Sequence, residues 1–339
     1  MKTIKKSTEI FTSDNLADCF HFDQKHFDKH TNNIKYVKFK IPKRKGGFRL
    51  IEHPHKGLVK IQDKLAIKLG LLYSKVLPDC SHGYISKQML PEDQRRDIFS
   101  NATVHLGSKY LYNIDIENFF HGITGPIIDK IFTKHFPELS PLLLKDIKKV
   151  VLFEGRLPMG ASSSPVMSNI CALDLDMRLR DYAINNKLKY SRYVDDISFS
   201  RDQKIKKYER QNIKKLIKDL GFVLNVNKEK YYSHKQDMII TGLVINNGII
   251  DMSQELEQSI MTNLKKLAEI KKTYDHLRLL NLNQTKAQKA YKQLKQGLKG
   301  QIRFIKRCIG TQDNRYKRIK KTFVEICQSS AYLEQTVYF

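Results

Sequence analysis

Polar and apolar positions along this chain switch between two periods, and the switches mark its elements. Tyr36, Val37, Phe39 and Ile41 precede Gly46-Gly47, and Phe48, Leu50 and Ile51 follow it, which predicts a hairpin over 36–52. Residues 1–35 read as short helices with charged faces, and 57–77 as an amphipathic helix. A period of two over 109–116 predicts a strand with Tyr110, Tyr112, Ile114 and Ile116 on one face and Leu111, Asn113 and Asp115 on the other. Helical spacing returns over 127–154. A Pro/Gly/Ser stretch at 158–165 opens a helix running to about Asn185, and two strands flank Asp195-Asp196. Residues 204–220 form a basic helix, and 238–250 a hairpin turning at Asn246-Asn247-Gly248. From Met252 onward the pattern is helical and rich in Lys and Arg. Strands and helices in this mixed order indicate an α+β fold.

Charge narrows the class of partner. The 339 residues carry 61 Lys+Arg against 35 Asp+Glu, a formal charge of +26. Such a surface attracts polyanions, and nucleic acid is the obvious one because neutralised phosphates release counterions. A merely basic soluble protein is the plainer alternative. With 41% hydrophobic residues the chain can bury a core and is not a disordered tail. Cys19, Cys80, Cys171, Cys308 and Cys327 are scattered, with no CxxC pair, which argues for a reducing compartment and against a disulfide framework or zinc ribbon. The spacing of Cys19, His21, His26 and His30 matches no standard zinc site. Met1 to Ser13 lacks the apolar run of a signal peptide. No apolar stretch approaches the roughly 20 residues a bilayer span needs. A cytoplasmic protein without a membrane partner is expected.

The candidate chemistry lies in three acids. Asp195 and Asp196 sit at the tip of a predicted hairpin that lacks the Gly or Asn a tight turn prefers. Val and two like charges make a costly turn, and such cost is found at functional sites; a solvated turn with capping aspartates is the alternative. Asp115 ends a largely apolar strand, and if that strand pairs with the hairpin, Asp115 and Asp195 converge. Converging carboxylates repel unless a divalent cation lies between them, and hard Mg²⁺ takes oxygen ligands. Adjacent strand residues point to opposite faces, so one of Asp195 and Asp196 should dominate ligation, and Asp195 is the choice.

These residues resemble reverse transcriptases, and among them the bacterial retron type, in the expected order from about Ile41 to Ile250. Asn113 to Phe120 (NIDIENFF) looks like the first palm motif and Tyr193 to Asp196 (YVDD) like its Tyr-x-Asp-Asp box, with Val194 where retron enzymes usually carry Ala. The resemblance implies a right-hand polymerase fold: N-terminal helices and fingers over 1–108, a palm over 109–250 with inserted fingers helices (124–165), and a basic, RNA-binding helical thumb over 251–339. It implies two Mg²⁺ ions held at Asp115, Ile116, Asp195 and Asp196. Phe120 falls at the steric gate that excludes a ribose 2′-hydroxyl, where ordinary core packing is the alternative. Leu157 to Pro165 looks like the nucleotide-pocket motif, giving Met159 and Gly160 substrate roles, although Met159 replaces the usual Gln and Ser162 a common Pro.

Lys43, Arg44 and Arg49 look like the fingers hairpin that clamps the triphosphate, and Arg49 precedes Pro54 as in the family. Lys228, in Gly221 to Lys228, resembles the lysine that protonates the departing pyrophosphate; a plain surface lysine is the alternative. Thr241 and Gly242, in Ile240 to Val244, resemble the primer grip. Asn101 and His105 match the retron NAxxH element and would recognise RNA, or else cap a turn and sit hydrogen-bonded in the core. Lys265, Lys266, Lys271, Lys272, Lys317, Arg318, Lys320 and Lys321, with Tyr274, Tyr291, Phe304 and Tyr316, suit backbone binding and base stacking, or a solvated basic face.

The function implied is an RNA-directed DNA polymerase that uses dNTPs to copy a cognate structured noncoding RNA into RNA-linked single-stranded DNA (msDNA) in antiphage defence. The implied partners are that RNA and its RNA/DNA product, a separate toxin or effector protein, and a host ribonuclease H acting in trans. Two alternatives stand beside it: another bacterial defence reverse transcriptase without a retron RNA, and an inactive RNA-binding scaffold.

Overall fold

The structure is a computed structural model and describes residues 10–43, 46–86, 90–246 and 248–329. The chain divides into two compact units, residues 1–236 and 237–339.

The first unit begins with two short helices, Leu16–Cys19 and Gln24–Thr31, capped by the side chains of Asn15 and Asp23. The predicted hairpin follows: β1 (Tyr36–Pro42) pairs antiparallel with β2 (Phe48–Pro54) in a register running from Tyr36↔Pro54 to Pro42↔Phe48. Its turn includes Arg44, which lies outside the described residues. Helix Lys56–Ser74 buries Leu58, Ile61, Leu65, Leu69 and Leu72, an i, i+3, i+4 stripe. A four-stranded antiparallel sheet then forms from β3 (Tyr110–Asp115), β4 (Lys189–Tyr193), β5 (Asp196–Arg201) and β6 (Lys230–Ser233), in the order β4-β5-β3-β6. Tyr112, Ile114, Ile197 and Phe199 are buried in the same core as Leu65, Ile170, Leu175 and Ile213 of the helices. Helices with a sheet assembled from distant strands make the mixed α+β fold that the pattern predicted.

Two helical stretches are broken where one run was expected. Residues 127–154 form Gly125–His135 and Pro141–Val151. The first ends at Phe136, next to Pro137, and the second starts where Ser140 accepts a bond from Leu143 N and Pro141 occupies the first turn. The run ending near Asn185 splits into Ser164–Cys171 and Leu173–Asn185 at Ala172 (φ −88°, ψ 3°). No Gly or Pro marks that step, so periodicity alone reads through it.

In the second unit the expected hairpin becomes a three-stranded antiparallel sheet: β7 (Ile239–Ile240), β8 (Leu243–Val244) and β9 (Asp251–Met252). Its tight turn is Thr241-Gly242, both at positive φ (47° and 86°), the conformation a two-residue hairpin loop needs. Asn246 and Gly248 lie on the longer link from β8 to β9, and Asn247 is outside the described residues. Three helices follow, Gln254–Leu279, Thr285–Ile309 and Asn314–Gln328, packed on one another around Ile260, Leu264, Leu267, Leu298, Ile305 and Ile319. The palm boundary read from sequence at 250 thus falls later than the division at 236, because β9 ties this small sheet to the helical unit. Among the described residues no helix is long and apolar enough to cross a membrane.

Candidate active site

The link between β4 and β5 is only Val194-Asp195, with Tyr193 and Asp196 paired across it. Val194 takes φ 62°, a left-handed conformation that a β-branched residue rarely adopts. The turn expected to be strained is therefore strained at its valine. Two features hold it. Arg192 Nη1 donates to Val194 O at 3.0 Å. Gly83 lies so close that a Cβ there would stand 2.5 Å from Val194 Cγ2 and 2.8 Å from its backbone nitrogen.

The turn carries its acids to the end of β3. Asp115 pairs directly with Asp196 in the register, and Ile116 N donates to Asp195 O at 3.0 Å. Like charges facing each other across strands repel. Enclosure and the neighbouring carboxylates raise both pKa values: Asp195 lies above its ordinary value, through burial and then Asp115, and Asp196 is pushed up to about 7 by burial, Asp195 and Asp115. Asp115 is only 4% exposed, and Lys228, on the 3₁₀ turn Val226–Lys228, donates to both its oxygens at 2.9 and 2.8 Å. Burial would lower the Lys228 pKa, but Asp115 and then the other two acids raise it, so it is an ammonium.

The donor set suits a hard divalent cation: three carboxylates, two of them destabilised by repulsion, beside a backbone carbonyl at Ile116. Among the described residues, however, no group of three or more His, Cys, Asp or Glu is gathered as a ready-made cage. The positive charge that a cation would bring to Asp115 is supplied here by Lys228.

A cleft of about 790 Å³ opens over these acids. Asp115, Ile116, Asp195 and Lys228 line it, with Lys43 and Arg49 from the hairpin side, Phe120 and Tyr84 as aromatic walls, and Met159 and Gly160 behind. Asp195 is thus on the cleft wall beside Asp115, as expected. Arg49 is close enough for its charge to oppose the rise at Asp195.

The hairpin is pinned to this wall by contacts that no motif announced. Glu52 N donates to Met159 O at 2.8 Å, and the fully buried Glu52 carboxylate takes two bonds from Arg156 (both 2.9 Å) and one from His121 (3.0 Å). Gly160 (φ 137°) lies where a Cβ would come within 2.7 Å of Glu52 O, so only glycine permits the approach. Burial alone would raise the Glu52 pKa; Arg156, the Met159 amide and His121 pull it down to about 2. Its stabilisation is therefore complete above the ordinary value of 4.5 and is lost as pH falls toward 2. Glu52→Gln should cost about 2–3 kcal/mol at neutral pH and flatten the acid limb of melting temperature against pH. Parallel acid limbs in the two proteins would count against this account.

The family model described as reverse transcriptase (RNA-dependent DNA polymerase) matches residues 41–245. The chain belongs to the reverse transcriptase family. It is similar to the retron Ec83 reverse transcriptase of Escherichia coli, 30% identical over 69% of this chain and 76% of that protein. The retron Ec73 reverse transcriptase of Escherichia coli is 30% identical over 71% and 79%. The retron Ec86 reverse transcriptase of Escherichia coli is 30% identical over 51% and 53%. The enzyme is thus an RNA-directed DNA polymerase of the retron type, a family whose members use divalent metal ions.

Not every motif of this reverse transcriptase lies at the cleft. Asn101 and His105 are 1% and 0% exposed. The His105 ring bonds Ser200 and Ser191, both at 2.7 Å, and burial pushes its pKa down to about 3, so it is neutral. Direct RNA recognition by these two is not supported; His105 instead ties β4 to β5 from inside. Thr241 and Gly242 form the β7–β8 turn of the second unit. In that unit Lys271 is buried against Asp275 and the Ser329 carbonyl, Arg318 pairs with Glu257 at 2.6 Å, and Tyr316 is 6% exposed. Lys271 and Tyr316 are therefore structural, whereas the Arg318 guanidinium stays largely exposed. Tyr274 and Tyr291 stack on each other, centroids 6.1 Å apart.

Sequence reading also missed the centre of the scaffold. Arg192, fully buried, donates to Asp176 at 2.8 and 2.6 Å, to Asn169 at 3.0 Å and to Ser81 at 3.2 Å. Tyr190 OH adds a bond to Asp176 at 2.8 Å. The available signal was a charged residue alternating into a buried strand next to the acid turn.

Proposed function

We propose that this reverse transcriptase copies a cognate structured noncoding RNA into RNA-linked single-stranded DNA (msDNA), in the cytoplasm, as part of an antiphage system. A separate effector protein and a host ribonuclease H acting in trans complete that reading. The observation that carries it is Asp115 and Asp195 together on one cleft wall, with Asp196 paired to Asp115 across the strands, in a chain whose relatives are retron reverse transcriptases. Residues 1–108 and the inserted 124–165 segment serve as fingers, 109–250 as palm and the helices from 251 as a basic, RNA-binding thumb.

Asp115, Asp195, Asp196 and the Ile116 carbonyl would hold two Mg²⁺ ions, which supply Lewis-acid activation of the primer 3′-hydroxyl and charge stabilisation of the pyrophosphate. The Asp115 oxygens that Lys228 holds are those a cation needs, so the ammonium and the cation compete for them. With a cation bound there, Lys228 would be released toward the substrate, where it would protonate the departing pyrophosphate. Arg49 and Lys43 bind the triphosphate, with Arg49 suited to a bidentate grip. Met159 and Gly160 border the nucleotide, and Thr241 and Gly242 grip the primer.

Two measurements test this reading. Purified protein with Mg²⁺ should extend an RNA-annealed primer with dNTPs, and the nucleic acid that copurifies should be one folded noncoding RNA. Copurified RNA without a common folded sequence would remove the retron part and leave the polymerase. In addition, Phe120→Ala should raise NTP use relative to dNTP use on the order of 10- to 100-fold. Unchanged sugar selectivity would take Phe120 out of the gate.

A further inference from the structure

Tyr84 belongs to none of the motifs that carry the proposed chemistry, yet it stands at the same cleft. Segment 80–84 runs beside β4: Arg192 N donates to Cys80 O at 2.8 Å, His82 N to Arg192 O at 2.9 Å, and Ser81 and Arg192 form a parallel bridge. Asn169 Nδ2 then fixes Gly83 O at 2.8 Å. The segment is therefore tied to the strand that carries the acid turn, and it delivers Tyr84 to the cleft wall. Tyr84 takes φ 56°, a conformation few non-glycine residues adopt. The residue is left 46% exposed, with its ring centroid 6.1 Å from that of Phe120 and the planes at 43°. A large apolar ring kept partly in water by an unfavourable backbone, against another ring, is a costly arrangement unless something in the cleft uses it.

We infer that Tyr84 is a specificity-determining residue, whose ring supports Phe120 from the open side so that the gate cannot yield to a ribose 2′-hydroxyl. Phe119 flanks Phe120 from the core, with centroids 6.1 Å apart, and is itself buried, so Tyr84 is the exposed aromatic neighbour that can limit rotation of the Phe120 ring on the cleft wall. A tilted neighbour with its centroid 6.1 Å away restricts that rotation, and aromatic pairs of this spacing attract each other. The ring, not the hydroxyl, does the work, since the contact is between faces and edges of carbon. The inference rests on Phe120 being the gate.

The test is single-nucleotide extension with dNTP and NTP, reading kcat/KM for each in native enzyme, Tyr84→Ala, Tyr84→Phe, Phe120→Ala and the double variant. Tyr84→Asn, which suits the left-handed backbone, replaces Tyr84→Ala if the latter does not fold. Tyr84→Ala should lower dNTP/NTP discrimination on the order of tenfold, mostly by raising NTP use. Tyr84→Phe should keep the native ratio. The double variant should discriminate no worse than Phe120→Ala alone, because a support has nothing left to hold. An unchanged ratio in Tyr84→Ala while Phe120→Ala alters it overturns the inference alone. No change in either variant overturns the gate as well. Independent, multiplying effects in the double variant overturn the supporting role.

Discussion

Asp195→Ala should abolish DNA synthesis and leave the fold and RNA binding intact. Asp195 is on the cleft wall beside Asp115, and its carboxylate is destabilised by burial and by that neighbour. A group held at such cost contributes only when positive charge arrives, so its removal relieves the metal-free protein. The melting temperature should hold or rise. Activity should fall by about 10³-fold or more, since lost metal ligation removes several kcal/mol of transition-state stabilisation. Primer extension and RNA retention on the same preparation check it. Substantial residual synthesis would contradict the ligand assignment, and loss of RNA binding would place the residue in the scaffold.

The second large effect lies behind the turn. Asp176→Ala leaves the Arg192 guanidinium with its charge fully buried and uncompensated. Burial would lower the Arg192 pKa, but Asp176 raises it, so the charge persists. Removing one partner of a buried pair costs about 3–5 kcal/mol, whereas replacing both by apolar groups of similar volume is close to neutral. Asp176→Ala should therefore lower the melting temperature by roughly 10 °C, and Asp176→Leu with Arg192→Met should recover much of it. The double variant still lacks the Arg192 bond to Val194 O, so its synthesis should stay depressed while its stability returns. Thermal melting paired with primer extension separates the two. A melting change under about 2 °C in Asp176→Ala would refute the account of a buried charge.

The acid site was legible because its parts are local. Asp115 closes an alternating strand, and Asp195 and Asp196 occupy a turn whose residues are wrong for a turn; both signals need only neighbours in the sequence. The hairpin at β1–β2 and the three C-terminal helices were legible for the same reason. The Glu52–Arg156 clamp was not, because its partners are far apart in the chain and neither sits in a pattern. Nor was the ion pair between Lys228 and Asp115. Asn101 and His105 read as recognition residues because they match the NAxxH element, with a hydrogen-bonded place in the core as the alternative. The packing of β4 and β5 against the Ile98–Thr103 region puts them inside.

By itself, then, the sequence determined the class of fold, the acids, the basic character and the family. These depend on periodicity and residue type, which act over a few positions. The tertiary structure alone decided the β3–β5 register that sets Asp115 opposite Asp196, the turn at Thr241-Gly242, the helix breaks and the buried Arg192–Asp176 pair. Such features arise from side chains meeting across the core, where fit and burial choose the partner and spacing along the chain carries no trace of the choice.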